Sequence, residues 1–368
     1  MSASLAPTST RTARHPWLTL ATVAAAQFML VLDAFIVNVA IPSIRAGLRA
    51  GSAEMDAVIT IYMIAYATLL IIGGRLGDIH GRKPVFILGV ALFVASSAWC
   101  GLARSGMELI LARLFQGASA ALVSPQVLAT IHTLFSDAKD RAKAFAVFGM
   151  TLGVAGGAGY VLGGCLIALN AGGLGWRAVF LVNLPIGAAV AVAATILMPS
   201  APKRSGIRLD LVGAAMLFLG LMCLAVPILA AGDLGWPLWL LPLVLLGAGL
   251  IAAFPRVEAW VTARGRAPLI DADLLTDRAL RRGLAAVGLL FAGNLSFYLV
   301  LMLFLQNGRH LAPFQAGLAM LPLVLAFVLG SRHGARAVLK HGAAALVRGA
   351  LVMSLGTAAC FGAIAAAP

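Results

Sequence analysis

The chain has 368 residues, of which 61% are hydrophobic and 11% charged, and its formal charge is +14. Soluble domains carry about 25% charged residues, so a water-soluble globule is excluded and lipid is the expected solvent. The 27 Lys and Arg are scattered between apolar runs without interleaved aromatics; they read as a topology signal and not as a nucleic-acid surface.

Eleven apolar stretches are long enough to cross the ~30 Å hydrocarbon core as helices: 17–41, 57–74, 85–102, 109–131, 144–168, 178–198, 211–231, 238–255, 284–305, 314–330 and 343–365. Their continuity excludes a membrane barrel, whose strands alternate in pieces of about ten residues. Arg11 and Arg14 precede the first stretch as in a signal peptide, but the apolar character runs on to Ile41 and ten spans follow. The segment therefore reads as a retained first span.

With residues 1–16 as a cytoplasmic tail, twenty Lys and Arg fall on cytoplasmic segments. Five, Arg45, Arg49, Arg104, Arg177 and Arg309, fall outside. That bias places the N-terminus inside. Six spans then fall within 17–198, two within 199–255 and three within 283–368, with a cytoplasmic loop at 256–282. The loop reads as a solvated connector, with a short interfacial helix as the alternative.

In chain order, the first span contains Gln27, Asp33 and Asn38. Asp33 lies ~13 Å below Pro42 by the helical rise, where an ionised acid costs about 2.5–3.5 kcal/mol or more. Gln27 and Asn38 share a helix face, and Asp33 points ~120–140° away from both. The pair lines a cavity or bonds a neighbouring helix.

"GGRLGDIHGRKP", residues 73–84, follows the second span. Gly74, Gly77 and Gly81 permit a tight reversal, Arg82 and Lys83 hold the loop on the basic side, and Pro84 suits a first helical turn. Asp78 is not explained by topology; it bonds a basic neighbour or caps a helix.

In the fourth span Arg113 and Gln116 stand one turn apart on one face. Arg113 either serves a polar cavity or snorkels past Glu108, ~7 Å away along the axis, to the outer surface. The fifth span is glycine-rich, and Gly153, Gly157, Gly163 and Gly164 are candidates for close helix packing. Tyr160 among them lines a cavity or packs.

The four cysteines lie in apolar segments without metal-type spacing and are expected to be reduced. The sequence contains no phosphate loop of the nucleotide-pump type and no His/Asp/Glu metal cluster. Neither an enzyme, a metal nor a cofactor is expected.

Several stretches resemble one family. "GGRLGDIHGRKP" is similar to the signature loop of the major facilitator superfamily at Gly74, Leu76, Asp78, Gly81, Arg82 and Lys83, with Ile79 in place of the usual basic residue. "LDAFIVNVAIP" is similar to the first-helix signature of the fourteen-helix drug/proton antiporter branch at Asp33, Asn38 and Pro42. "WRAVFLVNLPIG", 176–187, and the two additional spans match the same branch. The fourth-helix Arg-x-x-Gln-Gly stands at Arg113, Gln116 and Gly117, and Tyr160 occupies a position where the branch has proline.

The resemblance implies an all-α, major facilitator-like bundle in a bacterial inner membrane. It also implies that 17–198 is a six-helix lobe, that 199–255 holds two additional linker helices and that 283–368 is a partial second lobe. It implies exchange of hydrophobic or cationic small molecules for protons by alternating access. Asp33 and Arg113 would serve proton coupling, at comparable depth on opposed helices. The loop at 74–83 would be a conformational switch, and Gln27, Asn38, Gln116 and Tyr160 would face substrate. The family's second lobe has six helices where three spans occur here, so a C-terminal truncation is expected. The alternatives are a non-transporting remnant or assembly partner, and a nutrient symporter.

Overall fold

Helix starts follow local chemistry. Pro16 opens α1 (Pro16–Leu48), where a missing N–H costs nothing. The Ser105 hydroxyl accepts from the Glu108 amide to cap α4 (Gly106–Leu134), and the Asp137 carboxylate accepts from the Lys139 and Asp140 amides to cap α5 (Ala138–Leu169). α2 (Ser52–His80) and α3 (Arg82–Leu102) are separated by Gly81 alone, at φ 98 and ψ 140. A side chain at that φ is strained, which is why the reversal needs glycine.

The computed structural model describes residues 15–200, 210–234, 237–265, 268–270 and 277–366. The remaining helices are α6, in two consecutive segments (Ala178–Leu181 and Asn183–Leu197), α7 (Leu211–Leu234), α8 (Leu241–Ala263), α9 (Arg278–Leu303), α10 (Pro313–Ala319 and Leu321–His341) and α11 (Ala343–Ala366). Eleven helices among the described residues are long and apolar enough to cross a membrane, and no strand occurs among them.

Several boundaries differ from the sequence reading. α1 runs past 41 to Leu48, and α2 runs past 74 to His80, so that the connector after the second span shrinks to Gly81. α9 starts at Arg278 and not at 284. α8 continues through Pro255 to Ala263, so the first part of the expected 256–282 loop is helix. Residues 331–341, expected as a loop, complete α10. Charged side chains lowered the hydropathy there without interrupting the backbone hydrogen bonds.

The first six helices enclose two stacked apolar cores. One gathers Met29 and Leu30 of α1, Tyr62 of α2, Phe93 of α3, Val123 of α4 and Val190 of α6. The other gathers Ile36 and Val37 of α1, Val58 of α2, Cys100 of α3, Ala112 of α4 and Phe180 of α6. Each helix therefore passes through a short interval between the cores, and the polar residues lie in that interval.

α5 presents glycine in two directions. A methyl on Gly159 or Gly163 would meet α1 at Phe35 and Ile36, while one on Gly153 or Gly157 would overlap Phe327 or Val324 of α10. Gly164 of α5 abuts the backbone at Pro313 and Phe314, and Gly317 of α10 abuts the carbonyl of Tyr160. Small residues let backbones approach this closely in lipid. α7 and α8 pack together, and Ala214 and Phe254 meet Ile72 of α2. Leu289 and Phe291 of α9 and Leu351 and Val352 of α11 are exposed, as side chains facing hydrocarbon would be.

Candidate functional site

The interval between the two cores holds a single polar layer. Arg113 Nη1 donates to Asp33 Oδ2 at 2.5 Å and to Gln116 Oε1 at 2.7 Å, and its Nε donates to the Val58 carbonyl at 3.2 Å. The second Asp33 oxygen accepts from Asn183 Nδ2 at 2.7 Å and from Gln116 Nε2 at 2.9 Å. Gln116 Nε2 also donates to Ser97 Oγ at 2.7 Å, and the Tyr62 ring lies 4.1 Å from the Arg113 guanidinium. One carboxylate thus gathers side chains from α4 and α6, Gln116 and Asn183 link it on to Ser97 of α3, and its arginine partner reaches α2.

Asp33 is 0% and Arg113 1% exposed, so Arg113 does not snorkel to the outer surface. A buried ion pair repays its lost hydration only when its remaining lone pairs and protons are also bonded. Both Asp33 oxygens meet that condition. Asn183 Oδ1, by contrast, is buried without a hydrogen-bond partner. Replacing Asn183 by Leu withdraws one donor from Asp33 and is expected to destabilise the protein by about 1–3 kcal/mol. A lowered midpoint of thermal unfolding in detergent is the readout.

The other expected site residues disperse. Gln27 accepts from Ser124 Oγ at 2.9 Å, and Tyr66 donates to the same Ser124 oxygen at 2.9 Å. These three line a cavity of about 640 Å³ that extends past Phe148 and Leu152 to Asp78. Gln116 does not face a cavity: it is 0% exposed because both ends of its amide are taken by the polar layer. Tyr160 is also enclosed, packed edge-on against Phe35 and beside Tyr298. Its hydroxyl faces Asn38 without making a hydrogen bond of standard geometry. Gln27, Asp33 and Asn38 therefore address three different neighbourhoods.

The 73–84 segment is the end of α2, Gly81 and the first turn of α3, and not an extended loop; within it Asp78 lies 3.8 Å from Arg82. Arg82 donates to the Ala129 carbonyl at 2.9 Å and Lys83 to the Thr195 carbonyl at 2.7 Å, tying the segment to the ends of α4 and α6. Leu76 packs beside Ile72 and Leu269. Gly74 is in ordinary contact with Pro125; the close approaches are at Gly73, where a methyl would overlap the Ala121 carbonyl, and at Gly77, where it would overlap the Gln126 side-chain amide.

Asn183, Ser97, Tyr62 and Gln126 did not stand out in the sequence. Asn183 was visible as the amide inside "WRAVFLVNLPIG", and Gln126, 1% exposed, donates to the Gly73 carbonyl at 2.8 Å.

The chain is 39% identical over 92% of its length to the "Probable actinorhodin transporter" of Streptomyces coelicolor. It is 35% identical over 86% of its length to the puromycin resistance protein pur8 of Streptomyces alboniger. It is 30% identical over 92% of its length to the multidrug resistance protein Stp of Mycobacterium tuberculosis. It spans 60%, 61% and 64% of those three proteins, respectively. The profile of the Major Facilitator Superfamily matches residues 23–368. A match of that extent, on a bundle of membrane-length helices, leaves no other family to consider: the chain belongs to the Major Facilitator Superfamily, a family of membrane transporters and not of enzymes.

Proposed function

We propose that the protein exports hydrophobic or cationic small molecules in exchange for protons, with Asp33 as the coupling carboxyl and Arg113 as its exchangeable partner. The observation that carries this reading is the enclosed Asp33–Arg113 pair, a titratable acid joined to helices of the same bundle. A proton delivered to Asp33 Oδ2 displaces the Arg113 N–H and leaves the carboxyl neutral. Arg113 then keeps Gln116 and the Val58 carbonyl, and the hold of α1 on α4 weakens. Loss of the proton restores it. Intramembrane acids of this kind mark proton relays in transporters.

The cavity at Gln27, Tyr66 and Ser124 is mostly apolar-walled and suits a substrate with a large hydrophobic body. The names of the relatives, which include a puromycin resistance protein and a cephamycin export protein, support export of small molecules. In this reading the basic 73–84 segment is cytoplasmic and acts as the conformational switch, and the protein resides in the bacterial inner membrane with its N-terminus inside.

The test uses everted vesicles and a fluorescent cationic dye. Asp33→Asn is expected to reduce proton-driven dye movement to that of vesicles lacking the protein, with dye binding retained. Proton-driven movement that survives in Asp33→Asn would leave Asp33 a structural role only.

A further inference from the structure

A second pair of acids sits away from the Asp33 site. Asp210 precedes α7 and Glu258 lies near the end of α8; they are 6% and 0% exposed. Asp210 Oδ2 and Glu258 Oε1 both occupy the space that a methyl on Gly213 would need, and the two side chains are hydrogen-bond neighbours.

Three of the four carboxyl oxygens accept backbone N–H groups. Asp210 Oδ1 takes Gly213 at 2.9 Å, Asp210 Oδ2 takes Leu269 at 3.2 Å, and Glu258 Oε2 takes Ile270 at 3.2 Å. The fourth oxygen, Glu258 Oε1, is buried with no partner.

Among the described residues no cation pairs with either acid. Arg75 of α2 donates to the carbonyls of Pro268 and Leu269. Asp78 of the same helix faces Arg82, Arg264 at the end of α8 stacks on Trp260, and Arg256 is exposed. Two ionised carboxylates in contact, enclosed and with no cation from the described residues beside them, repel strongly. One proton removes the repulsion and completes the hydrogen bonding: carried on Glu258 Oε1, it is donated to Asp210 Oδ2.

We propose that Asp210 and Glu258 share one proton and act as a proton-dependent latch. The latch pins residues 268–270 to α7 and α8, and through Arg75 it holds the end of α2 that lies in the 73–84 segment. Leu269, 3% exposed among Ile72, Ala214 and Phe254, is the apolar plug of the latch. When the shared proton leaves, the two charges separate, the amides of Leu269 and Ile270 lose their acceptors and the segment undocks. This inference stands independently of the role of Asp33.

The experiment uses the full chain in lipid vesicles. Maleimide labelling of Pro268→Cys is read by mass spectrometry as a ratio to labelling of the exposed position in Ala263→Cys, which cancels the ionisation of the thiol itself. Because opening releases one proton, the ratio is expected to rise by up to about tenfold per pH unit at the alkaline end of a scan from about pH 6 to about pH 9. In Glu258→Gln the amide supplies the missing N–H to Asp210 and cannot ionise, so the ratio should stay low and flat. Infrared spectra at neutral pH should lose one protonated-carboxyl band in the same variant. A parent ratio that ignores pH, a pH rise in Glu258→Gln equal to that of the parent, or a carboxyl band unchanged by the substitution overturns the latch.

Discussion

Arg113→Met is expected to destabilise the protein by about 3–5 kcal/mol, the cost of leaving one partner of a buried ion pair behind. Methionine nearly fills the space of the arginine stem, so packing loss is small and the effect is electrostatic. Asp33 then faces the Gln116 and Asn183 amides without a cation. Val58 loses the guanidinium donor on its carbonyl, and Tyr62 loses the cation over its ring. The double variant Asp33→Leu/Arg113→Met removes both charges and should recover most of the stability, because an apolar pair of similar volume often replaces a buried ion pair at little cost. Thermal unfolding of the single and double variants, compared in one detergent, gives the coupling directly. A double variant no more stable than Arg113→Met would assign the loss to packing instead.

The second large effect separates the two glycine directions of α5. Gly159→Val presses on the α1 backbone: an added methyl would stand about 3.1 Å from both the Leu32 carbonyl oxygen and the Ile36 nitrogen. Backbone does not yield as a side chain does, so this variant should sit at or above the upper end of the ~1–3 kcal/mol typical of overpacking. Gly157→Val meets Val324 on α10, where an added methyl would overlap both γ-carbons and the β-carbon, so no rotamer relieves the clash and α10 itself must shift. It too should cost about 3 kcal/mol in stability, and it also obstructs movement of α10 against α5. Stability should therefore fall in both variants, while dye transport per folded molecule should fall further in Gly157→Val. Equal transport per folded molecule in the two variants would mean that the α5–α10 crossing does not move.

What the sequence revealed follows from where free energy is conspicuous. Apolar runs announced the helices because hydrocarbon tolerates little else. Asp33 and Arg113 stood out for the converse reason, and each is where the bundle forms its buried ion pair. Neutral polar residues carry no such flag. Ser97 and Asn183 are unremarkable in α3 and α6, and only the packing of α1, α3, α4 and α6 brings them into one network around a carboxylate, Asn183 directly and Ser97 through Gln116. Gln116 was recognisable as polar, but whether an amide faces a cavity or an acid is decided by a neighbouring helix. Glu258 was hidden in another way. A hydropathy span ends where charges begin, at Pro255, yet the helix runs on and buries the acid against Asp210 and the 268–270 segment.

The separation of Asp33 from Arg113 by eighty residues has a consequence for how the protein is made. At about 5–20 residues per second, a ribosome needs roughly 4–16 s to synthesise that interval. During it, α1 must enter the bilayer with an acid that has no arginine to meet. Insertion then depends on the Leu, Ile and Val on either side of Asp33, whose contribution must exceed the ~2.5–3.5 kcal/mol cost of a charged residue at mid-helix. Trimming those flanking aliphatic side chains should therefore lower the fraction of nascent chains that insert α1, a defect in biogenesis that the stability of the finished bundle would not reveal.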